Sequence, residues 1–72
     1  MAELKHTRYD HHPPDPEQGW GEHWRLVQRD DSGRLRKLLV VAEGPNTPAM
    51  QVYMEDVAAH IDQLIEVSLS AQ

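Results

Sequence analysis

The chain contains no cysteine and no phenylalanine. Without cysteine there is neither a disulfide nor a thiolate zinc site, two of the usual supports for a fold this small. The same absence fits a reducing compartment. Aromatic residues are few, two Trp and two Tyr, so each is a candidate for a core or a contact role. No run is long and apolar enough to span a bilayer, and Met1-Ala2-Glu3-Leu4-Lys5-His6 lacks the apolar core of a secretion signal. The expectation is a cytoplasmic protein with no membrane segment.

Lys and Arg are missing from residues 44–72, which carry four acids. Residues 20–43 hold five cations and four anions, and residues 1–19 hold two and four. The net charge of -5 makes this a small acidic protein. Autonomous nucleic-acid binding draws its affinity from phosphate neutralisation, which this balance disfavours. At 72 residues there is one domain at most, with a thin stability margin.

Residues 1–19 read as a Pro/His-rich extended arm, because Pro13, Pro14 and Pro16 restrict themselves and the residues before them. A short strand within residues 4–9 is the alternative. Residues 20–72 read as a small ββα domain. Residues 22–29 form the first strand of an antiparallel hairpin, with Trp24 and Leu26 on one face and Arg25, Val27 and Arg29 on the other. Asp30-Asp31-Ser32-Gly33 makes the turn. Residues 34–43 form the second strand. Its apolar run Leu38-Leu39-Val40-Val41-Ala42 predicts a strand covered on both faces. Thr47 is placed to cap a helix with Pro48 at its first position. One amphipathic α-helix follows over about residues 48–69, with Met50, Tyr53, Met54, Val57, Ala58, Ile61, Leu64, Ile65 and Leu69 on one side. A competing reading makes residues 49–53 a third short strand, since Val52-Tyr53 permits it. The fold class is α+β.

Four groups of residues bear on function. His11 and His12 are the candidate metal ligands, but adjacent histidines beside prolines have no fixed ligand geometry, and solvated tail residues are the plainer account. If the hairpin opposes Arg29 and Arg34, then Arg25, Arg29, Arg34 and Arg36 share a face that suits phosphate or a partner's carboxylates. A one-residue change of register moves Arg34 and Arg36 to the other face. Glu55, Asp56, Asp62 and Glu66 read as a solvated helix face. His60 reads as an edge histidine packing on the hairpin. Trp24 reads as core, and Trp20, between two glycines, as a contact anchor.

No nucleophile–base pair, phosphate-cradling loop or dinucleotide fingerprint occurs, so no enzyme and no cofactor are expected. A hairpin and one helix leave apolar surface in excess, which predicts a homodimer or a foreign protein partner. The leading expectation is a protein–protein interaction module, an accessory subunit or an inhibitor, binding through Trp20, Arg25, Arg29, Arg34, Arg36, Tyr53, Ile61 and Ile65. Nucleic-acid or phosphate binding by the Arg-rich hairpin face and metal binding by the arm are the alternatives.

Overall fold

The computed structural model describes residues 4–71. The fold is α+β: strands β1 (Thr7–His12), β2 (His23–Arg29) and β3 (Leu35–Glu43) precede helix α1 (Pro48–Ser70). The sheet is antiparallel in the order β1-β2-β3. The hairpin and helix thus stand where the sequence puts them, and a third strand is present.

That third strand comes from the arm. The prolines begin only at Pro13, so Thr7–His12 keeps every backbone N–H and pairs along its whole length, from Thr7 opposite Gln28 to His12 opposite His23. Residues 49–53 are helix instead. Thr47 is extended and its hydroxyl accepts from the Met50 N–H at 3.2 Å, with Pro48 in the first turn. This cap sets Met50, Met54 and Ala58 at successive i, i+4 steps on the sheet side.

The β2–β3 turn follows from its composition. Asp30 Oδ1 accepts from the Ser32 and Arg34 N–H groups and from Ser32 Oγ, while Gly33 takes φ +83°, a value few side chains tolerate. Asp30 N–H donates to the Arg34 carbonyl, so Arg29 lies opposite Leu35 rather than Arg34. The pairing skips Leu39 and Arg36, and each is an extra residue that bends the strand.

Trp24, Leu26, Met54 and Ala58 make the buried core, with Tyr9, Val40, Ala42, Met50, Val57 and Ile61 packed around it. Each large apolar side chain so buried contributes about 1.5–3 kcal/mol. The helix lies closest to β1 and β2, and β3 meets the core only through Leu39, Val40 and Ala42. β3 is therefore the less covered edge of the sheet. The expectation of a strand covered on both faces does not hold: Leu35 to Leu38 are exposed and Leu39 to Ala42 only half-buried. An apolar run without alternation records a buried strand only if something lies over both faces, and here Leu39, Val40 and Ala42 pack against the core while Leu35 and Leu38 stay exposed.

Asp62 departs from its expected solvated position. It is buried, and its Oδ1 accepts from the N–H groups of Lys5, His6 and Thr7 and from Thr7 Oγ1, at 2.6–3.1 Å. The entry to β1 is thus fastened to the helix, and the helix is drawn to the β1 side.

Candidate interaction surface

The open face of the sheet, away from the helix, holds a closed polar cluster. Asp15 and Trp20 exchange backbone hydrogen bonds (2.8 and 3.0 Å), and Gly19 at φ +75° completes the tight loop between them. The loop folds Trp20 over β2. Its ring lies edge-on to His23 at 5.1 Å, and the Arg25 guanidinium sits 5.1 Å from its centroid. Arg25 Nη2 also lies 3.5 Å from Asp15.

His23 is fully buried beneath this loop. Its Nδ1 meets the Gly21 carbonyl at 2.7 Å, and its Nε2 accepts from Arg25 Nε at 3.1 Å. That pair of partners suits a neutral ring with the proton on Nδ1. His12 stacks on it at 5.6 Å. Burial, then the Arg25 cation and His23, hold the His12 pKa below its ordinary value. Asp10 acts in the opposite direction and His11 adds slightly to the lowering.

A histidine with a depressed pKa stabilises the fold above its unfolded value near 6.5, and that contribution is lost as pH falls through the lower folded value. Unfolding by urea should therefore be easier at pH 5 than at pH 7.5, and His12→Gln should flatten the difference. An unchanged pH slope in that variant would show that His12 is not the group responsible.

The predicted arginine face is divided by the observed register. Arg25 and Arg29 point to the open face, Arg25 held by Asp15 and His23, and Arg29 donating from Nη1 to the Gly33 carbonyl at 3.1 Å. Arg34, opposite Asp30, falls on the other face, and Arg36 is one of the two extra residues. The one-residue register change would move both arginines; here Arg36 instead lies in the irregularity without a partner on β2. The histidine pair divides likewise. His11 packs edge-on to Trp24 at 5.2 Å on the helix side, while His12 faces His23, because neighbouring strand residues point apart. His11 Nε2 lies 2.8 Å from Glu22 but off the hydrogen-bonding angle. Among the described residues no group of three His, Asp or Glu is arranged to hold a metal ion.

The predicted contact residues on the helix differ in exposure. Tyr53 is exposed, Ile65 half-buried, and Ile61 packs against the core. At 100° per residue, Tyr53, Val57 and Leu64 fall within an arc of about 40° on one flank of α1. Asp62 and Glu66 occupy the opposite flank, toward β1, where Glu66 meets His6 at 2.5 Å. The Tyr53 flank therefore turns to the side of β3. Beside it lie Leu39, Val40 and Ala42, half-buried against the core. Of the large hydrophobics exposed among the described residues, Leu35 and Leu38 are on β3 and Val52, Tyr53, Leu64, Val67 and Leu69 on α1.

His60 is exposed and, with Leu4, Lys5, Ala59, Asp62, Gln63 and Glu66, lines an open depression of about 470 Å³. Sequence reasoning missed Leu38 as an exposed residue and His23 as a buried one. The apolar run of β3 carried a signal for the first, since two faces needed cover and one helix supplies one. For His23 no sequence signal existed. No helix among the described residues is long and apolar enough to cross a membrane. Comparison with protein-family models, curated proteins and solved structures finds no match to this chain.

Proposed function

We propose that this chain is a small non-enzymatic protein–protein interaction module, an accessory subunit or inhibitor of a larger complex, that works as a homodimer in the cytoplasm. The supporting observation is the offset of α1 toward β1, which leaves Tyr53 and Leu64 exposed beside the half-buried Val57, Leu39, Val40 and Ala42. Contiguous apolar surface rimmed by charge is what a partner surface looks like. The polar clusters support the same reading. Asp62, His23 and Arg25 are each occupied by contacts within the chain, so they serve the fold rather than a substrate.

The test is affinity capture from native host cells with the full-length chain, comparing wild type with the double variant Tyr53→Asp, Leu64→Asp. Both positions are exposed, so the variant should fold, as circular dichroism would confirm. Partner recovery should fall at least about tenfold, a loss of about 1.4 kcal/mol, while Arg29→Glu on the open face should leave it unchanged. Equal recovery by the double variant would remove the helix flank as the binding surface.

A further inference from the structure

We infer that two copies of this chain join through the free edge of β3, pairing it antiparallel with the same strand of a second copy about a two-fold axis near Val40. The inference rests on the homodimer reading above and adds its seam. Three observations carry it.

The first is surface area. Accessible surface scales with mass, and a folded monomer of 8.3 kDa should expose about 4,600 Å². This chain exposes 5242 Å². The excess, about 650 Å², accompanies an elongated shape of 40 × 26 × 17 Å with large apolar side chains of β3 and α1 exposed.

The second is charge. The charges of β3 are asymmetric: after Leu35 come Arg36 and Lys37, then five uncharged residues, then Glu43. Antiparallel self-pairing centred on Val40 lays the cationic start of one strand against the anionic end of the other. The two-fold axis makes this match occur twice. The uncharged middle meets itself.

The third is the condition of the two sheet edges. Unpaired edges invite strand addition, and charges and bulges blunt them. The β3 edge is blunted by Arg34, Arg36, Lys37 and the irregularities at Arg36 and Leu39, while from Val40 to Glu43 it pairs with β2 without interruption. The β1 edge is short, its entry is tied to Asp62, and Pro13 follows it. A two-fold seam consumes the β3 edge of both copies, so pairing through it closes at two. In the resulting six-stranded sheet the two Tyr53–Leu64 flanks face each other across a trough floored by Leu39, Val40 and Ala42. That trough enlarges the surface offered to a foreign partner.

The experiment is sedimentation equilibrium on the full chain over a wide concentration range, with wild type, Glu43→Lys, the pair Arg36→Glu with Lys37→Glu, and all three changes together. These side chains are exposed, so the folded monomer is not at risk. Either half-reversal sets like charges at both ends of the seam and should weaken the dimer about tenfold, and the combined variant should restore it. A wild-type monomer throughout would overturn both the dimer reading and this seam. A dimer indifferent to the half-reversals, or a mass beyond two chains, would overturn the seam and leave self-association standing.

Discussion

Asp62→Ala should destabilise the domain by about 3 kcal/mol, because one buried carboxylate oxygen answers three backbone N–H groups and a hydroxyl. A buried donor without a partner costs about 1–3 kcal/mol, and bonds to a charged acceptor are the stronger kind. The alanine variant strands several donors at once, although water will reach those of Lys5 and His6. Asp62→Asn keeps an acceptor oxygen and loses the charge, so about half the cost is expected. Urea titration measures both, and amide exchange at Thr7 should accelerate with them. An Asp62→Ala protein within about 0.5 kcal/mol of wild type, the scatter of ordinary surface changes, would mean that β1 is held by its pairing with β2 alone.

The same carboxylate has a pH signature. Burial alone would raise its pKa, but the N–H groups of His6 and Lys5, the Thr7 hydroxyl and the His6 charge together outweigh burial and hold it below the ordinary value. A depressed carboxylate contributes stability that is present above its unfolded value near 4 and lost as pH falls through the lower folded value. Asp30 in the turn shifts the same way through Ser32 and Arg34. Acid unfolding should therefore steepen below about pH 4, and Asp62→Asn should remove part of that steepness.

Trp24→Ala should be the more damaging change and should abolish cooperative folding. The indole is 4% exposed, packs against Tyr9 and His11 at 6.2 and 5.2 Å, and donates from Nε1 to the Pro45 carbonyl at 3.3 Å. Truncating a buried aromatic to alanine costs about 3–5 kcal/mol. A domain this size has a total stability of about that order. The calorimetric transition seen for wild type should vanish. Trp24→Phe, which keeps most of the volume, should retain a transition at lower temperature. Trp20→Ala is the contrast: this indole is only half-buried, so its loss should free the 15–20 loop and leave the transition in place. Equal effects at both positions would refute the division into one core and one covering tryptophan.

The elements legible in the sequence are those specified by neighbours in the chain. The Asp30–Gly33 turn, the Thr47–Pro48 helix start and the alternation of Trp24 and Leu26 against Arg25 and Val27 each lie within one or two turns of backbone. Their capping, φ and pleat preferences act locally. Other features depended on pairs far apart. β1 is a strand because β2 offers it a ladder, and Pro-rich composition downstream hid six residues that could take it. Asp62 is buried because residues 5–7 arrive 55 or more positions away with three N–H groups to satisfy. Helical periodicity could only place it on a polar flank. The arginine face turned on whether Arg29 meets Arg34 or Leu35, a choice made by the three-residue loop that the Asp30 carboxylate selects.

The sequence by itself determined an acidic, cysteine-free α+β domain with a hairpin, a capped C-terminal helix and more apolar surface than one helix can cover. Only the tertiary structure decided where that surplus lies. Fastening Asp62 to the entry of β1 draws α1 over β1 and β2, and β3 is left as the open edge. Which of two sheet edges a single helix covers follows from contacts between distant residues, and no local preference encodes it.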